Sequence, residues 1–143
     1  MNYPIINTIT DYIQSQARNK VIFHSQDLSD LITVNVGLRI SENIYNFKEP
    51  GRISMRVSSE LDRVLNAAIS NHDLFGKYLS IENLGILFEP ELKIDFNRLL
   101  DSYSQNNALF VRWNGEIDSE NIYFLTKENG IKINIKNVSH IAI

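Results

Sequence analysis

The chain has 143 residues, of which 14 are basic and 17 acidic, and its formal net charge is −3 at pH 7. That balance excludes the strongly basic character of a dedicated DNA-binding domain, although it leaves room for a local basic patch. The absence of cysteine excludes disulfides, thiolate metal ligands and a cysteine nucleophile. No apolar run approaches the roughly 20 residues that a membrane-spanning helix needs. We therefore expect one soluble, cytoplasmic domain over residues 1–143, with no membrane partner.

The first half of the chain is predicted to alternate between helices and strands. Apolar residues at helical spacing predict an amphipathic helix that ends near residues 18–19. A short apolar strand at 20–23 follows, and residues 32–40, apolar at every second position, predict a second strand. The clearest helix then follows a pair of serines at 58–59, which are good N-cap residues.

The second half predicts further strands, one more helix and a hairpin. Apolar runs at 78–81 and 108–113 predict strands, and Asp95 is placed to cap a helix between them. Residues 121–135, interrupted by an Asn-Gly pair, predict an antiparallel hairpin, and the apolar tail 138–143 should dock on the domain or on a partner. The interleaving predicts an α/β fold: a mostly parallel sheet flanked by helices, with an antiparallel edge hairpin near the C-terminus.

One block of the sequence carries a family resemblance. An acidic-Asn pair at 82–83 ends a predicted strand, ILFEPEL follows at 86–92, and WNGE at 113–116 closes the next strand. Upstream, VNVGLRISENI occupies residues 34–44. These segments resemble the small P-loop protein of BREX (bacteriophage exclusion) phage-defence systems, the BrxF type. The resemblance implies a degenerate P-loop NTPase-like fold and a place in a bacterial anti-phage complex.

The resemblance also implies two vestigial nucleotide-site positions. Glu82, at the end of its strand, falls at a Walker B-like position, where a carboxylate would hold Mg²⁺. Asn114 follows the next strand, where ATPases of this class often place a sensor-like polar residue near the terminal phosphate.

The segment that should bind phosphate departs from the family pattern. A P-loop needs G-x-x-x-x-G-K-[ST], so that glycine N–H groups surround the phosphates and lysine neutralises them. Residues 24–31 read HSQDLSDL, with no glycine, no lysine and two carboxylates. The segment is also shorter than the dozen or more residues that a parallel strand–helix–strand crossover usually takes. We therefore expect the phosphate loop and its helix to be lost, with no nucleotide cofactor and no ATP hydrolysis in the usual manner.

Three functions are compatible with these features. The first is a non-catalytic accessory subunit that contacts other defence proteins or a second copy of itself, with Trp113 either an interface anchor or a core residue. The second is a nucleotide-dependent ATPase that uses Glu82, Asn114 and an unconventional loop. The third is a nucleic-acid-binding module in which Arg52 and Arg56 contact phosphates, so DNA is a possible partner.

Histidines give no further catalytic or metal site. His24, His72 and His140 are scattered, and none has a histidine three or four residues away. His24 follows a strand and lies beside Ser25 and Asp27. This position with polar neighbours is also typical of an ordinary turn residue. We predict no catalytic residues and no metal ligands.

Overall fold

The computed structural model describes residues 2–44, 52–124 and 130–143. Helices and strands follow one another in this order: α1 (Tyr3–Ile13), β1 (Val21–His24), β2 (Thr33–Asn35), α2 (Val36–Ile44), α3 (Ile53–Ala68), β3 (Ser70–His72), β4 (Gly76–Glu82), α4 (Phe96–Ser104), β5 (Ala108–Arg112), β6 (Asn121–Phe124), β7 (Ile131–Asn134) and β8 (His140–Ala142). Two short 3-10 helices, Gly85–Phe88 and Pro90–Leu92, lie between β4 and α4.

The described residues form a six-stranded main sheet and a separate two-stranded one. In the main sheet five strands are parallel, in the order β2-β4-β5-β1-β8, and β3 pairs antiparallel with the first part of β4. Strands β6 and β7 pair antiparallel with each other. The predicted α/β class is therefore confirmed, and so is the hairpin, which forms its own sheet beside the main one.

Side chains alternate between the two faces of the main sheet and build two buried clusters. On the first face, residues such as Phe23, Leu79 and Val111 pack with α2, α3, α4 and the hairpin. On the second face, Ile22 and Phe110 belong to a smaller cluster that contains α1 and the segment between β1 and β2. Both faces are thus covered, as a parallel sheet requires.

The segment 25–32, which we call the connector, joins β1 to β2 without a helix. It leaves the carboxyl end of β1 and crosses β5 and β4, which lie between its two strands. Three strand spacings amount to about 14 Å. Eight residues cover only about 12 Å as a helix but about 26 Å when extended, so the connector crosses without a helix. It includes one turn, in which the Leu31 N–H donates to the Leu28 carbonyl at 3.0 Å.

Two leucines hold the connector on the sheet. Leu28 and Leu31 are buried in the cluster of the second face together with Phe110 and Tyr78. The backbone N–H of Ile32 donates to the Tyr78 hydroxyl at 3.0 Å, which anchors the far end. The connector therefore takes the place on the second face that a crossover helix would otherwise fill.

The predicted strand at 32–40 is wrong beyond Asn35. Strand β2 has three residues, and α2 begins directly at Val36. The Asn35 side chain accepts the backbone N–H of Leu38 at 3.0 Å, so it caps the helix. Val36 and Ile40 are buried, whereas Leu38 is exposed. The alternating apolar pattern was therefore a helical i, i+4 pair with one exposed leucine between.

Two helix boundaries also differ from the sequence prediction. Helix α1 ends at Ile13 rather than near 18–19, and the fully buried Asn19 donates instead to Asp101 at 2.9 Å and Ser104 at 3.0 Å. Helix α3 begins at Ile53, five residues before the first predicted serine cap, because its apolar stripe extends back through Val57 to Ile53, which packs against the first-face cluster.

The remaining elements follow the sequence prediction more closely. Asp95 caps α4 by accepting the backbone N–H of Arg98 at 3.0 Å. The apolar tail docks on the domain as β8, which pairs parallel with β1. The predicted Asn-Gly turn of the hairpin falls mainly outside the described residues. None of the described helices combines the length and apolar character that crossing a bilayer requires.

We predict that Leu28→Ala lowers the free energy of unfolding by about 2–4 kcal/mol, because it opens a cavity between connector and sheet. Ile32→Ala is the matched control: Ile32 is 72% exposed, so its truncation should change stability by no more than about 0.5 kcal/mol. Urea unfolding measures both. Equal midpoints for the two variants would contradict the proposed packing.

Candidate functional site

The main sheet has a topological switch point between β1 and β5. The chain leaves β1 along the second face, through the connector, and leaves β5 along the first face, towards the hairpin. In parallel α/β sheets, ligands bind at the carboxyl ends of the strands where such connections diverge. The carboxyl edge near β1 and β5 is therefore the first place to look for a site.

Four polar side chains end neighbouring strands at this edge. His24 pairs in register with Arg112, and Asn35 pairs in register with Glu82. By strand alternation all four belong to the second face, the side that the connector covers. Two basic side chains, His24 and Arg112, and the Glu82 carboxylate thus lie near the start of the connector.

Arg112 joins Glu82 to the connector. Its Nη1 lies 3.3 Å from Glu82 Oε2, and its Nε donates to the Ser25 carbonyl oxygen at 3.4 Å. Both charged side chains are about one-third exposed, so the ion pair contributes only about 0–1 kcal/mol to stability. Its chemical effect is larger, because the Glu82 carboxylate already faces a guanidinium.

A cleft of about 360 Å³ opens beside this pair, between the segments that follow β4 and β5. Its walls combine amide, guanidinium, aromatic and glycine surfaces. The lining residues are Asn83, Leu84, Gly85, Arg112, Trp113, Asn114, Gly115 and Phe124.

The residues singled out from the sequence fall in different places. Asn114 and Trp113 both line the cleft, whereas Glu82 does not line it and reaches it only through Arg112. Arg52 and Arg56 are exposed at the first turn of α3 and do not line the cleft. The cleft thus includes Asn114 and Trp113 but not Glu82, Arg52 or Arg56, and the nucleotide-site roles of Glu82 and Asn114 stay predictions.

Trp113 lies mostly in the core. Its side chain is buried, and its ring makes edge-on or tilted contacts with Phe88 at 5.8 Å and Phe124 at 6.3 Å. Its indole Nε1 has no hydrogen-bond partner among the described residues. It contributes a wall to the cleft, and its role as an interface anchor stays a prediction.

His24 is buried, and its surroundings lower its pKa. Burial, the largest influence, lowers the pKa of His24, and the positive charge of Arg112 lowers it further, against the Gln26 carbonyl and the carboxylates of Asp27 and Glu82. The Nδ1 atom lies 2.7 Å from the Gln26 carbonyl oxygen, which fixes Nδ1–H as the donor of the neutral ring. Its Nε2 then has no partner among the described residues.

A junction between β2 and β4 went unrecognised in the sequence. Asn83 follows Glu82 with a left-handed φ of 57°, and its carbonyl oxygen accepts the Gly37 N–H at 2.8 Å. Its side chain donates to Asn35 Oδ1 at 2.8 Å. A Cβ on Gly37 would stand 2.6 Å from the Asn83 amide nitrogen, so glycine is needed for this close approach. The Glu82-Asn83 pair was visible in the sequence. The partners of Asn83, which are Asn35 and Gly37, lie much earlier in the chain.

Several backbone N–H groups at this edge already have partners within the chain. The first-turn N–H groups of α2 already bond to Asn83 and Asn35. In the connector, the Leu31 N–H bonds to the Leu28 carbonyl at 3.0 Å. Within the described ranges no three histidine, aspartate or glutamate side chains are grouped to hold a metal ion. The N–H groups of Gly37, Leu38 and Leu31 are therefore not available to a phosphate.

Comparison with models of known protein families, with curated protein sequences and with solved structures finds no significant match to this chain. The resemblance to the BREX P-loop protein therefore stays a prediction, and the fold and the carboxyl-edge geometry are the observations on which a function can be argued.

We predict that stability falls as the pH drops through about 6.5, because the unfolded chain then binds a proton at His24 that the folded chain excludes. His24→Asn keeps a donor for the Gln26 carbonyl and removes the titration. Urea unfolding between pH 8 and 5.5 should show a shallower loss for this variant, with pH 8 as the reference. If the free energies of unfolding of the wild type and of His24→Asn fell in parallel with pH, the lowered pKa of His24 would be contradicted.

Proposed function

We propose that this protein is a non-catalytic, P-loop-like accessory subunit of a bacterial anti-phage defence complex of the BREX type, and that it acts through protein–protein contacts. The observation that carries the proposal is the connector: Leu28 and Leu31 are packed on the sheet face where a phosphate loop and its helix would otherwise run. A domain arranged in this way retains the sheet and its surfaces but not the phosphate cradle.

The strand order supports descent from a nucleotide-binding sheet. Strand β5 lies between β1 and β4, so the end of β1 neighbours the strand before Asn114, which in turn neighbours the strand that ends in Glu82. A phosphate loop after β1 would have these two residues within its reach. The Arg112 guanidinium on Glu82 supports loss of the metal role, since it provides the positive charge that Mg²⁺ would have supplied.

The partners of such a subunit are other proteins of the defence system, a second copy, or both. Several large apolar side chains are exposed among the described residues, including Tyr3, Met55 and Leu74. They are scattered over different elements, which is compatible with more than one contact surface.

We predict that isothermal titration with ATP and Mg²⁺ gives no saturable heat, because the connector offers no phosphate cradle. Glu82→Gln should behave like the wild type in this titration, since its carboxylate pairs with Arg112. An active P-loop ATPase titrated with the same solutions is the positive control. Saturable binding that Glu82→Gln abolishes would favour the ATPase alternative and overturn the proposal.

We also predict co-purification with a defence protein after co-expression with a BREX-type methyltransferase, phosphatase-like protein and large ATPase. Retention of none of these three at low salt would contradict the proposed assembly role.

A further inference from the structure

The segment that follows β5 is held by backbone hydrogen bonds on both sides of a short irregular stretch. The Trp113 N–H donates to the His24 carbonyl oxygen at 2.8 Å, and the Glu116 carbonyl oxygen accepts a backbone N–H of β6 at 2.9 Å. Between these two bonds lie Asn114 and Gly115, which belong to neither a helix nor a strand.

Asn114 has a side chain that no other group holds. It is exposed and lines the cleft of about 360 Å³, so its amide has room to turn. Neither this amide nor the backbone N–H of Gly115 has a hydrogen-bond partner among the described residues. The side-chain carbonyl carbon of Asn114 and the backbone nitrogen of the next residue are therefore both free of such restraints.

The packing of this segment requires glycine at position 115. A Cβ on Gly115 would stand 2.0 Å from the Tyr123 carbonyl oxygen and 2.9 Å from Trp113 Nε1. The first of these atoms is backbone of β6, which is fixed by its pairing with β7. A side chain on the residue after an asparagine shields the peptide nitrogen between them, and glycine has none. The fold therefore places an unshielded nitrogen directly after an exposed asparagine.

We propose that Asn114 is a site of spontaneous deamidation, with water as the only co-reactant. The Gly115 backbone nitrogen attacks the side-chain carbonyl carbon of Asn114, and a five-membered succinimide ring closes. The bond from that carbon to the side-chain nitrogen breaks, and ammonia leaves with the proton that the Gly115 nitrogen has lost. Water then opens the ring at either of its two carbonyl carbons, which gives aspartate or isoaspartate.

The modification changes the charge of the cleft. Its lining residues include one cation, Arg112, and no carboxylate. Either product of the reaction introduces a carboxylate at position 114 and adds one negative charge to the formal −3 of the chain. Arg112 already lies 3.3 Å from Glu82, so the new carboxylate competes with Glu82 for the same guanidinium. The inference does not depend on the proposed function.

Asn106 provides an internal comparison. It is also exposed, lies in the irregular segment between α4 and β5, and makes no side-chain hydrogen bond with a described residue. It is followed by Asn107, which has a side chain, so the two sites differ in the glycine. The chain contains a second Asn-Gly pair at 129–130, in which Asn129 lies outside the described residues, and peptide mapping distinguishes it from Asn114.

Peptide mapping by mass spectrometry tests the inference on the full chain, folded and incubated at pH 8 and 37 °C. The peptide that contains Asn114 should gain the mass expected when NH₂ is replaced by OH, while the Asn106 peptide stays unchanged. The rate should rise with pH, because hydroxide removes the proton from the attacking nitrogen. Asn114→Gln should prevent the change, because glutamine would have to close a six-membered ring. Asn114→Asp is the ion-exchange standard for the aspartate product.

The same chain incubated in urea shows how fast Asn114 reacts without the fold. Deamidation of Asn114 in urea but not in the folded chain would overturn the inference, since the fold would then protect the site. Equal rates at Asn114 and Asn106 in the folded chain would also overturn it, because the glycine would have no effect. Loss of ammonia at position 114 that continues unchanged in Asn114→Gln would contradict the succinimide route.

Discussion

Packing of Leu28 and Leu31 against the second face of the sheet is the contact on which the rest of the structure depends. Full burial of a leucine side chain contributes about 1.5–3 kcal/mol, so the two together hold the connector firmly. Strands β5 and β4 lie between its ends, and eight residues wound as a helix would be too short to cross them. The connector is therefore too short to include a crossover helix.

The electrostatics of the carboxyl edge follow from that path. Because the connector begins beside β5, the Ser25 carbonyl comes within reach of Arg112, and the guanidinium also pairs with Glu82. His24 is buried under the start of the connector, and this burial lowers its pKa. At this edge the positive charge of Arg112 is therefore paired with the negative charge of Glu82 within the chain.

Local signals made much of the fold predictable from the sequence. Apolar runs bounded by turn residues predicted β1, β4 and β5, and Asp95 marked the start of α4. The stretch at 32–40 could not be assigned locally, because its alternation fits both a strand and a helix with one exposed leucine. The Asn83 carbonyl that engages the start of α2 comes from a residue 46 positions away, beyond any window of periodicity.

The candidate site was less predictable than the fold. Glu82 and Asn114 were identified from a family pattern, which says nothing about the neighbours that alter their chemistry. The ion pair with Arg112 depends on β4 and β5 lying side by side, and the burial of His24 depends on the connector above it. Both are consequences of strand order and of how an eight-residue link crosses the sheet.

A crystal structure determined with ATP and Mg²⁺ present at high concentration is the most direct measurement. The account predicts that Leu28 and Leu31 stay packed on Tyr78 and Phe110, with Arg112 on Glu82 and no ordered phosphate beside residues 24–30. Ordered phosphates in contact with that segment, with the two leucines lifted from the sheet, would contradict it.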